Sequence, residues 1–154
     1  MPSKKESAMN LKQLYLKYAH LSEYGRSISL LLARLGVAYG FFGPAMMKWS
    51  DISSVADWFG TLGIPFPTLN AYMAASTEIT GVVLLTLGFL VRLISIPLIV
   101  VMLVAIFTVH IHNGFSCGNN GFEIPVYYIL FLLIFITSGA GRFSLDRIVF
   151  GDKS

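Results

Sequence analysis

Residues 73–90 form an apolar run long enough to cross a bilayer, with one acid, Glu78, near its middle. An ionised carboxylate in hydrocarbon is costly, so such a residue faces a partner or a cavity and marks a candidate functional site. The other unusually placed ionisable residues are Arg34, Lys48 and His110, each within or at the end of an apolar stretch. They are the candidate neighbours of Glu78.

Four apolar stretches are spans by length and content: residues 27–49, 68–90, 91–113 and 123–138. Together they take up more than half of the 154 residues, leaving no material for a separate soluble domain. The chain is 55% hydrophobic and 12% charged, against about a quarter charged for a soluble domain. Short connections between spans predict an all-α integral membrane four-helix bundle with neighbouring helices running up and down. A chain this apolar is not expected to bind nucleic acid.

The polar, basic residues 1–26 stand apart from the membrane domain, residues 27–150. Leu11, Leu14, Tyr15, Tyr18 and Leu21 recur at helical spacing among Lys12, Gln13 and Lys17. That pattern predicts an amphipathic helix lying on the bilayer, basic face toward anionic headgroups. The first apolar run starts too late and is too long for the core of a cleaved signal peptide. Lys4, Lys5, Lys12, Lys17 and Arg26 precede the first span, Arg92 sits between the second and third, and Arg142, Arg147 and Lys153 follow the fourth. The other two loops carry no Lys or Arg beyond Lys48 at the boundary, so both termini are expected in the cytoplasm.

Within the first span, Gly36 and Gly40 are spaced to admit another helix closely, and Pro44 should kink its last turn. Residues 51–62 read as a short amphipathic helix showing Val55, Trp58, Phe59 and Leu62 to lipid or protein, and Trp49 and Trp58 suit an interfacial belt. Gly63, Pro65 and Pro67 make a stiff turn into the second span. Pro97 and Pro125 are placed near the starts of the third and fourth spans, where a missing N–H is tolerated.

Depth decides which ionisable groups can meet. At about 1.5 Å per residue, Glu78 lies roughly 15 Å from the outer face and Arg34 roughly 10–12 Å from the cytoplasmic face. A long arginine can snorkel, so an Arg34–Glu78 pair near mid-membrane is expected, with Lys48 and His110 nearer the outer face. Such a pair either handles protons or ligand in a pocket opening outward, or fixes helix register. His110 and His112, two apart, point in different directions on a regular helix unless its end unwinds. With the lone Cys117 and Met46 or Met47 they would suit copper by softness, but the spacing matches no established metal site. One cysteine allows no internal disulfide and no Cys-x-x-Cys pair, and Glu123 is placed to complement the start of the fourth helix. Phosphate-binding loops, Ser-His-Asp sets and zinc spacings are not evident.

The run from Arg34 through Gly36, Gly40, Gly43 and Pro44 to Lys48 resembles the first helix of the DoxX family. So do Leu62 to Pro67, the Glu78-Ile-Thr-Gly81 step with Gly88 and Arg92, and the closing Gly139-Ala-Gly-Arg-Phe-Ser-Leu-Asp146. The resemblance covers about residues 27–150. It implies a four-helix inner-membrane protein, in a family named for a subunit of a quinol oxidase or thiosulfate:quinone oxidoreductase, with members linked to thiol redox, oxidative stress and copper-binding peptides. It is similar also to the vitamin K epoxide reductase bundle, whose paired cysteines this chain lacks. Arg34, Lys48, Glu78 and Arg92 match the family pattern; His110 and Cys117 do not derive from it.

The expected function is therefore a redox-associated membrane subunit that binds a quinone or quinol in the outer half of the bundle. Glu78 would exchange a proton, Arg34 would hold its carboxylate, and Lys48 and His110 would bond the headgroup, with Arg92 among the family's charged set. Electrons would come from a partner redox protein, because no flavin, haem, cluster or metal site is evident. Alternatives are a non-catalytic scaffold, self-associating or recruiting a partner, and a copper or thiol-peptide handling protein using His110, His112 and Cys117.

Overall fold

The computed structural model describes residues 4–151, with side chains from residue 11 onward except residues 12, 20, 21, 23 and 24. The side chains of Lys4, Lys5, Lys12, Leu21 and Lys153, used above, lie outside these. The described residues are helical with no strand: α1 Lys4–Ser50, α2 Ile52–Thr61, α3 Pro67–Leu87, α4 Val91–Ala105, α5 Glu123–Ser138 and α6 Leu145–Phe150. Beyond α4 the chain stays helical as a π turn, Ile106–His110, and a 3-10 turn, Ile111–Asn113. Among the described residues, two stretches are long and apolar enough to cross a bilayer, Gly25–Ser50 and Val91–Asn113. α5 is equally apolar but has 16 residues, roughly 24 Å of helix.

The basic segment and the first apolar run form one unbroken helix. No break divides the amphipathic segment from the first span, because the sequence between them carries no proline and only Gly25 as a weak point. α1 also continues as helix through Pro44 to Ser50, and Pro97 is inside α4 rather than in its first turn. α2 matches its expected span: the Asp51 carboxylate accepts from the Ser54 N–H (3.0 Å) and from the Ser53 and Ser54 hydroxyls. Ala56 and Phe59 of α2 are buried against Ala71 of α3.

One core joins α1, α3, α4 and α5. Phe41 and Val37 of α1, Leu85 of α3, Leu98 of α4 and Phe135 of α5 lie together in it. α3 is central, packing on α1, α2 and α4, while α5 packs on α4 and α1. Glycines set two close approaches: a Cβ at Gly40 would overlap the Tyr128 ring of α5, and one at Gly81 would press on Leu98 of α4. Contact of Arg34 with Leu85, and of Lys48 and Trp49 with Glu78 and Ala75, makes α1 and α3 antiparallel.

The α3–α4 corner is the tightest. Gly88 (φ 68°) and Leu90 (φ 49°) both take left-handed conformations to reverse the chain within three residues. Leu90 cannot cap α4 with its own side chain. Asp146, 56 residues on, does so: its carboxylate accepts from the N–H groups of Leu90 (2.6 Å) and Val91 (3.2 Å). The Asp146 N–H donates in return to Gly88 O (3.0 Å).

In Gly88→Ala the new methyl would take the place of the Arg34 guanidinium at a left-handed φ, so thermal melting in detergent should show a loss above about 2 kcal/mol. Gly60→Ala in α2, whose Cβ would make only ordinary contact with Pro67 of α3 (3.9 Å), should be neutral or slightly stabilising. Asp51, held at about 2 against an ordinary 3.8 by its serine hydrogen bonds, supports α2 fully above about pH 4. Protection of α2 amides relative to their intrinsic exchange rates should therefore fall as pH drops from 3.8 toward 2, and this loss should vanish in Asp51→Asn.

Candidate functional site

Glu78 and Lys48 form the one ion pair among the described residues, Nζ to Oε2 at 2.8 Å. Glu78 is 2% exposed and the Lys48 side chain 14%. Helical side chains lean toward their own N-terminus, and on antiparallel α1 and α3 this tilts the two residues toward each other. Lys48 makes no further hydrogen bond among the described residues, and Glu78 Oε1 makes none. The pair thus keeps two N–H groups and one carboxylate oxygen unused. Beside it, the Trp49 indole donates to Ala75 O (3.2 Å) and meets Tyr72 edge-on, so Trp49 ties α1 to α3 as well as facing the interface.

The expected Arg34–Glu78 pair does not form. Arg34 also leans toward the start of α1, and that direction takes it away from Glu78. Fully buried, it donates from Nη1 to Leu85 O (3.1 Å) and from Nη2 to Phe143 O, close enough to feel the charge of Asp146. Its Nε–H has no partner. Arg34 therefore joins the end of α3 to the segment before α6, whose start Ser144 caps. Asp146 was not singled out from the sequence. Its signal was present only as an acid closing the Gly139–Asp146 motif, and a cap acting across 56 residues leaves no local pattern.

His110 ends the π turn, and its Nδ1 bonds Asn120 O (2.8 Å), so the neutral ring carries its proton on Nδ1 and leaves Nε2 as an acceptor. Asn113 donates to the same carbonyl (3.1 Å). No hydrogen bond or ion pair joins His110 to Lys48 or Glu78 among the described residues. Arg92 is exposed in the first turn of α4, at the Arg34 end. His112 and Cys117 are exposed, and no three of His, Cys, Asp or Glu gather among the described residues. Glu123, in the first turn of α5, also accepts from the Cys117 N–H (2.9 Å). Its hydrogen bond and negative charge push the Cys117 thiol upward, which disfavours the reactive thiolate.

A buried ion pair stripped of one member leaves a charge with no partner, at a cost of roughly 3 kcal/mol. Lys48→Met should therefore lower stability in detergent strongly. Combining it with Glu78→Leu should recover most of the loss, and a double variant no better than the single would show that the pair is not coupled.

The family model described as DoxX matches residues 29–111. An uncharacterized protein of Haemophilus influenzae is 31% identical over 142 residues, covering 87% of this chain and 91% of that protein. The Bacillus subtilis protein named "Putative oxidoreductase CatD" is 30% identical over 127 residues, 82% of this chain and 90% of its own. The Escherichia coli inner membrane protein YphA is 30% identical over 128 residues, 79% and 91%. No solved structure matches. With the family model spanning Glu78, Lys48, Arg34 and His110, and with relatives aligned over most of their length, the chain belongs to the DoxX family.

Proposed function

We propose that this protein crosses the bacterial inner membrane with α1, α3, α4 and α5, both termini in the cytoplasm, and binds a quinone or quinol at the Lys48–Glu78 pair. The observation that carries the reading is that pair: a buried carboxylate and ammonium in contact, each with hydrogen-bonding capacity left over. Lys48 would donate to a quinone carbonyl. Glu78 would supply or take up the proton that accompanies reduction or oxidation of the ring. Reduction consumes two electrons and two protons per ring, and the electrons would come from a partner oxidoreductase.

The membrane placement is supported by apolar side chains that cover outer surfaces as well as the core. Leu93, Ile96, Val100 and Phe107 on α4 are all exposed, as expected where lipid replaces water. The cationic residues cluster at the end of the bundle that holds Arg34 and Arg92, which fits a cytoplasmic location for that end. Relatives carry names of an inner membrane protein and of an oxidoreductase, in line with this assignment. His110 would add an acceptor at Nε2 near the outer face. Arg34 has both terminal nitrogens on backbone carbonyls at the far end of α3 and Arg92 faces outward, so neither enters the site.

A second reading, a non-catalytic scaffold, draws on the Arg34 and Asp146 contacts, which hold helix ends together and leave nothing for a substrate. Mass spectrometry of lipids bound to protein purified from its native membrane separates the two. Bound quinone is expected in the wild type, with at least tenfold less per folded protein in the Lys48→Met/Glu78→Leu double variant, in which no charge is left unpaired. Quinone retained in that variant, or absent from the wild type, would leave the scaffold reading.

A further inference from the structure

α1 carries two apolar stripes on opposite sides. The inner one, through Leu30, Val37 and Phe41, is buried against the rest of the chain. The outer one starts at Leu11 and Leu14 and recurs at alternating steps of three and four as far as Met46. Tyr18, Ile28, Leu32 and Phe42 lie on the way, and only Gly25 on it lacks a side chain. The described side chains of this stripe are exposed, Leu11 and Tyr18 at 70%. Such strict spacing is the 3.5-residue repeat of a left-handed supercoil.

Lipid alone does not account for it. α1 has 47 residues, roughly 70 Å of helix, against a hydrocarbon core of about 30 Å. Its first turns therefore stand in water. There the continuation of the inner face turns mostly polar in sequence, with Gln13, His20 and Glu23 around a single Leu16, whereas the outer stripe stays apolar. A stripe serving only lipid would have turned polar at the same level. Beside the stripe, every seventh residue from Ser22 through Ser29 and Gly36 to Gly43 is small. A Cβ on Gly36 or Gly43 would meet nothing within the chain, which leaves room for a second backbone.

We propose that the outer face of α1 binds the same face of a second copy, forming a parallel two-helix supercoil that runs from the membrane into the cytoplasm. A second copy suits the face because it offers the same repeat at the same height, and two copies inserted in one sense are necessarily parallel. The stripe from residue 11 to 46 is roughly 50 Å long and one helix, about 10 Å, wide. That gives about 500 Å² in projection and more in accessible area, within reach of the ~800 Å² per partner of a standard interface. This inference is independent of quinone binding.

In a parallel supercoil each stripe residue faces its own counterpart, so single cysteines report it. In a Cys117→Ser background, Leu14→Cys, Tyr18→Cys, Leu32→Cys and Leu35→Cys should form disulfide-linked dimers in oxidised native membranes. Yields should be at least tenfold above Gln13→Cys, Leu16→Cys and the lipid-facing Leu93→Cys. Leu14→Glu with Tyr18→Glu should also shift the mass in detergent from two chains toward one at unchanged melting temperature, because neither side chain touches the core. Equal cross-linking at stripe and control positions, or none at either, overturns the proposal. So does a spin label at Leu14→Cys that reports lipid immersion, which would instead lay the extension on the bilayer.

Discussion

A cation drawn into an apolar interior has to be answered by an opposite charge or by backbone oxygen. α1 carries two such cations, Arg34 and Lys48, roughly 21 Å apart along its axis. Both are answered by α3, one through the Leu85 carbonyl and the other through Glu78. With the Trp49–Ala75 bond these contacts leave α1 a single register on α3. Sliding by even one residue would strand a charge in a medium where that is heavily penalised. α3, sandwiched between α1, α2 and α4, is the element whose position decides the others.

The two ends of this helix pair differ in kind. At the Arg34 end every strong contact goes to backbone groups or to a cap, and a left-handed corner is closed from outside by Asp146. That end is built to stay shut. At the Lys48 end the contact is between side chains that retain unused valence, beside a partly exposed lysine. One end holds the fold and the other is free to exchange partners, and this asymmetry runs along a single helix pair.

The sequence carried the elements better than their meetings. α2 was legible because Asp51 and the Val55–Phe59 spacing are local signals, and α5 because Glu123 and Pro125 mark its first turn. Glu78 stood out because a carboxylate in an apolar run always needs an answer. Its partner was misread because depth along a span says nothing about lean: Arg34 and Lys48 both point toward the start of α1, so only the deeper-reaching lysine arrives at residue 78. The unwinding at Ile106–His110 was open in the sequence, since a helix with no cap signal gives no hint of its last turns. Continuity of α1 across residues 25–27 was equally hidden, because polarity changes there while helix propensity does not.

The cap on α4 has a consequence for biogenesis. Residues 88–91 leave the ribosome well before residue 146, so the corner between α3 and α4 is first made with its two amide groups unanswered. Until Asp146 is made, that corner lacks its cap. Arrival of one aspartate, 56 residues later in the chain, then latches the α3–α4 corner to the segment that also holds Arg34 of α1.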